Sequence, residues 1–135
     1  MRFMSMVKSS ENYRLGPPPQ ALMDAINELG QEMTKTGTMV DMGGLLPTAM
    51  GAYRVRQSRG KLSVTDGPFV ESKEVIGGFA ILEASSKEEA IRLAKEFLKV
   101  AGDGECELRQ IFTASDGTGD CSDVHAQLAE QFTAR

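Results

Sequence analysis

Residues 75–83 read VIGGFAILE, and this segment restricts the fold more than any other. Its alternate positions are Val75, Gly77, Phe79 and Ile81 on one side and Ile76, Gly78, Ala80 and Leu82 on the other, with no polar set between them. A strand with one wet face alternates apolar and polar residues. This one asks for cover on both faces and for a strand on either side. It belongs in the middle of a sheet, and the rest of the chain has to supply its neighbours. The Gly77-Gly78 pair inside it points to a bulge or to a closely approaching backbone.

The neighbours can be found by their periods. Arg2 to Lys8 alternates Phe3, Ser5, Val7 against Met4, Met6, largely apolar on both sides, as in a buried strand. Gly16-Pro17-Pro18-Pro19 then pre-sets a helix start. Leu22, Ala25, Ile26, Leu29 and Met33 follow at helical spacing, and Gly37 is placed to end that helix in a left-handed cap. Thr38 to Leu46 reads as a strand interrupted by Gly43-Gly44 and closed by Pro47. Residues 51–57 and 61–65 read as a hairpin joined by Ser58-Arg59-Gly60. Ser86-Lys87-Glu88-Glu89 is a capping box opening a helix with Ala90, Ile91, Ala94, Phe97 and Leu98 on one face, stopped by Gly102 and Gly104. A last strand alternates Cys106, Leu108, Phe112 with Glu105, Glu107, Arg109. Beyond it lie the linker ASDGTGD and a short tail helix carrying Val124, Leu128 and Phe132.

The order is strand, helix, strand, inserted hairpin, central strand, helix, strand. That is an α+β, ferredoxin-like βαββαβ plan over residues 1–113, with 114–135 as linker and tail helix. Two helices cover one face of such a sheet, so the apolar groups of the other face mark an interface. A two-fold homodimer packed sheet to sheet, of the dimeric α/β-barrel type, is expected, with a cleft between the sheets for a small ligand.

The composition narrows the partners. The 135 residues are 41% hydrophobic and 25% charged with a formal charge of −4, which argues against a direct hold on nucleic acid. No apolar run approaches the roughly 20 residues of a membrane span. MRFMSMVKSS has no secretory cleavage pattern, and the two cysteines, Cys106 and Cys121, have no Cys/His cluster around them. A cytoplasmic protein without a metal or a cofactor is expected. Gly77-Gly78 lacks the strand-to-helix setting of a phosphate loop.

The stretch TDGPFVESKEVIGGFAILEASSKEEAIRLA, supported by GTMVDMGGLLP upstream and ECELRQIF downstream, closely resembles the signature of the DGPF branch of the YCII-related family. The resemblance covers residues 1–113 and implies a dimeric ferredoxin-like fold. It also implies a possible association with an extracytoplasmic-function sigma factor, and so a regulatory role. The broader family includes small-molecule enzymes with a His–Asp pair in the dimer cleft. This chain departs from that pattern, because its single histidine, His125, lies in the tail.

Candidate site residues come from three places. In TDGPFVESKE, Asp66 and Gly67 form a turn pair, and Phe69 reads as an apolar plug against the sheet or a partner. At a cleft mouth Asp66 and Glu71 would carry protons and Lys73 an anion; otherwise they are a corner and its solvated rim. Asp41 sits mid-strand, where aspartate is disfavoured, so it marks a bulge beside Gly43 or a polar cavity. Glu107 and Arg109 offer a charge pair if their strand face meets the cleft, and an ordinary wet face if it does not. The expected function is a ligand-binding or regulatory homodimer. The alternative is a lyase or isomerase with Asp66 or Asp41 as proton carrier and Arg109 or Lys73 as anion holder.

Overall fold

The computed structural model describes residues 1–9, 19–69, 75–112 and 129–130. Strands β1 (Arg2–Ser9), β2 (Met39–Gly44), β5 (Val75–Glu83) and β6 (Glu105–Ile111) form an antiparallel sheet in the order β2-β5-β1-β6. Helices α1 (Gln20–Lys35) and α3 (Lys87–Ala101) supply the crossovers. This is the ferredoxin-like order, and it places VIGGFAILE between two strands as its apolar pattern requires. A four-residue helix, α2 (Thr48–Gly51), leads into β3 (Tyr53–Ser58) and β4 (Lys61–Asp66), which pair only with each other. The inserted hairpin is therefore an arm outside the main sheet.

The core lies on one side of the sheet. Phe3, Met33, Met39, Leu82, Ala84, Ala90 and Leu93 form its buried cluster, with Leu29, Met42, Ala80 and Leu108 packed around it. Register explains the membership: Phe3 stands opposite Leu82, Ser5 opposite Ala80 and Leu108, and Met39 opposite Leu82, so these residues share the helix-covered face. Helix α1 seats closely on β2 because a side chain at Gly30 would meet the Met42 sulfur at 2.5 Å. Gly37 (φ 76°) ends the α1 turn in the left-handed region, as its position in sequence predicts.

Gly77 and Gly78 serve both roles their spacing suggests. Pairing jumps from Val7–Gly78 to Lys8–Ile76, which leaves Gly77 as the extra residue of a bulge. A Cβ on Gly78 would stand 3.1 Å from the Gly43 carbonyl oxygen. On α3 the buried residues are Ala90, Leu93 and Ala94, whereas Ile91 is 41% exposed. The expected stripe thus needs correcting, because Ile91 stands one residue, about 100° of helix, away from Ala90. Phe112 also falls past the last β6 pair and is exposed, so it does not extend the alternation of Cys106 and Leu108. The tail helix expected at Val124, Leu128 and Phe132 lies outside the described residues.

Candidate functional site

The face of the sheet turned away from the helices is built in rows. One row runs Asp41–Ile81–Met4–Arg109 and the next Gly43–Phe79–Met6–Glu107, each crossing all four strands. Met4, Met6, Phe79 and Ile81 are half-buried and form an apolar floor. The Phe79 ring lies over Gly43, where a Cβ would meet it at 2.9 Å, so this glycine makes room for the aromatic ring. Arg2 bonds Glu83 at one end of the floor, and Lys8 pairs with Glu107 at 3.4 Å toward the other. Asp41 and Arg109 stand on the two outer strands, roughly 14 Å apart by three strand spacings.

Asp41 owes its place to a bulge. Pairing with β5 shifts between Met39 and Asp41, which turns Asp41 toward the open face opposite Ile81. Its Oδ1 accepts the Met42 N–H at 2.8 Å, so the carboxylate is anchored by its own strand. Glu107 and Arg109 share the open face, but they do not pair with each other. Glu107 is held by Lys8, and Arg109 makes no ion pair with any described residue. Arg109 is thus the cation on this face best placed to receive an anion.

Asp66 belongs to the other sheet, at the base of the arm opposite Tyr53, and is exposed. The backbone bond at this corner is made by Gly67, whose N–H donates to the Ala52 carbonyl at 2.9 Å. Phe69 is half-buried under the Arg54 guanidinium, whose Cζ lies 3.9 Å from the ring centroid. Glu71 and Lys73 lie outside the described residues. The TDGPF corner and the open face are thus two separate places. Sequence reasoning expected an apolar open face but did not single out Met4, Met6, Phe79 and Ile81 as its floor, although the signal for the first two is present in the R-x-M-x-M-x-K alternation of residues 2–8.

Two further places lie on the helix side. Burial pushes the Cys106 thiol above its usual range, only partly offset by a hydrogen bond with Ser5, so it is a poor nucleophile. An open groove of about 520 Å³ between α1 and β2 is lined by Asn27, Gly30, Gln31, Thr34, Lys35 and Met42. Among the described residues no cluster of three His, Cys, Asp or Glu side chains could hold a metal ion, and no helix is long and apolar enough to cross a membrane.

The family model for the YCII-related domain matches residues 1–115. The chain belongs to the YCII-related family. An uncharacterized protein of Rhizobium meliloti is 30% identical over 77 residues, which are 57% of this YCII-related chain and 61% of that relative's length. A solved structure of 5-chloro-2-hydroxyhydroquinone dehydrochlorinase from Burkholderia phenoliruptrix, in complex with 2,5-dihydroxybenzoquinone, superposes with a TM-score of 0.40 at 17% identity. That likeness covers 89% of this chain and 100% of the other, and at this score it carries no argument about chemistry.

Proposed function

We propose that this YCII-related protein is a small-ligand-binding homodimer, assembled sheet to sheet over the open face, with a cleft between the two sheets. The observation that carries the reading is the shared face of Met4, Met6, Phe79 and Ile81, framed by Asp41 and Arg109. A half-buried apolar floor with few charged groups at its margins has the composition of a small-molecule site. An uncovered apolar face is also what an interface needs. Arg109 would take a carboxylate or another anionic group, and Asp41 a hydrogen-bond donor. Binding is favoured over turnover because no histidine stands on the described sheet and no nucleophile–base pair is in contact there. The regulatory part of the reading, with a sigma-factor partner, rests on the likeness of TDGPFVESKE to DGPF proteins, and the cytoplasmic setting on two cysteines without a disulfide framework or metal cluster around them.

Sedimentation and a thermal-shift screen of small organic anions test this. The protein is expected to sediment as a dimer at micromolar concentration, and Met6→Lys as a monomer. Arg109→Ala should cancel the shift given by any anion that stabilises the wild type. A wild type that stays monomeric overturns the cleft. Turnover that disappears in Asp41→Asn, with folding intact, selects the lyase or isomerase reading, and loss in Asp66→Asn would move the site to the TDGPF corner.

A further inference from the structure

The β3–β4 arm has two unlike faces. Residues directly opposite in an antiparallel pair point the same way. Tyr53 faces Asp66, Val55 faces Val64 and Gln57 faces Leu62, so Tyr53, Val55, Leu62 and Val64 share one side. Arg54, Arg56 and Lys61 share the other, and Arg59 stands in the turn. The apolar side is uncovered, with exposures of 68% at Tyr53, 70% at Val55, 73% at Leu62 and 65% at Val64. Leu46 and Met50 at the arm's root are exposed as well, at 59% and 69%. An isolated two-stranded hairpin is at best marginally stable in water, so a lasting arm needs a surface to lie on.

Among the described residues, its own chain supplies a surface to the cationic side alone, where Arg54 lies on Phe69. The apolar side is left for a partner, and charge selects which one. Residues 53–66 carry Arg54, Arg56, Arg59 and Lys61 against the single acid Asp66, in a chain of formal charge −4. The rest of the molecule is therefore more acidic than the whole. A nucleic acid or an anionic lipid surface drawn to the arm would also meet that acidic body. A second copy offers carboxylates to the arm's cations, and by two-fold symmetry it makes every contact twice. The arm also leaves the sheet between β2 and β5, two strands of the open face.

We infer that the apolar face of the arm, with Leu46 and Met50, is a clasp that packs against a second copy of this chain while Arg59, in the turn at its tip, meets that copy's acidic body. The clasp rests on the homodimer reading for its partner, but not on which sheet surfaces meet. The double variant Leu62→Lys, Val64→Lys should raise the dimer dissociation constant about 30-fold or more, as loss of a buried hot spot does. Ser63→Lys, on the cationic side, should change it by less than about threefold. In the wild type, amide exchange at residues 53–66 should slow as concentration drives association, a readout that needs no variant. An arm whose exchange ignores concentration, or a double variant that dimerises like the wild type, overturns the clasp even if Met6→Lys is monomeric. If instead the double variant is monomeric and Met6→Lys still dimerises, the clasp stands and the sheet-to-sheet packing falls.

Discussion

A methyl group added to Gly67 would stand 2.0 Å from the carbonyl oxygen of Thr48 and 2.8 Å from its carbonyl carbon. Neither is the end of a flexible side chain, so the backbone of α2 or of the corner has to move. Gly60, in the arm's turn, needs to be glycine for a different reason: its φ is 78° and nothing lies within 4 Å of its added Cβ. The two substitutions should therefore differ in size. Gly60→Ala should lose about 1 kcal/mol, the ordinary strain of a side chain in the left-handed region. Gly67→Ala should lose roughly 2 kcal/mol or more, as overpacking does where relaxation is hindered. Urea midpoints for the two variants check the order. Equal losses would mean that the Thr48 contact yields freely. In TDGPFVESKE, then, the glycine is fixed by packing, and Asp66 beside it is free of that constraint.

At the scale of elements, α3 carries a start signal whose chemistry is local and therefore testable. The Ser86 hydroxyl accepts the Glu89 N–H at 3.1 Å, and the Glu89 carboxylate accepts the Ser85 N–H at 3.1 Å and also the Ser85 hydroxyl. These bonds to Ser85 hold the Glu89 carboxyl below its usual 4.5. A depressed carboxylate stabilises the fold fully above its unfolded value and loses that contribution as pH falls through its lower folded value. Stability should thus decline as pH drops below about 4.5. Glu89→Gln should flatten that part of the decline, and Ser86→Ala should cost about 1 kcal/mol at every pH. Circular dichroism of urea unfolding between acid and neutral pH measures both. An identical acid slope in Glu89→Gln would remove the carboxylate from the cap.

How far such elements can be read from sequence depends on how local their cause is. The capping box, the Gly37 stop and the strand 75–83 are legible because neighbouring residues decide them. The Glu89 partner is Ser85 rather than Ser86, a shift of one residue that turn geometry settles. Helix α2 is only four residues long and shows no period to detect. The placement of Asp41, Glu107 and Arg109 depends on register. Alternation separates the two faces of β6 but does not say which one the helices cover, so the shared open face emerges only from pairing across four strands.

At the scale of the whole molecule, the core is thin and lies on one side. The buried apolar residues among those described all belong to the helix-covered face or its helices, and of these only the small Ala90 side chain, at 0%, is below 2% exposure. Among the described residues the opposite face and the arm both leave apolar groups uncovered, surface that a second copy could bury. If a second copy covers it, stability becomes a function of concentration, because association favours only the folded state. Raising protein a hundredfold would add about 1.4 kcal/mol per chain to a folded dimer, since each tenfold step contributes half of 1.4 per subunit. For a chain of this size that amounts to roughly 5 °C in the unfolding midpoint. Differential scanning fluorimetry from about 1 to 100 μM should show that rise in the wild type and not in Met6→Lys. A midpoint that stays flat in the wild type over this range would mean that the open face is covered by no second copy, and the cleft would go with it.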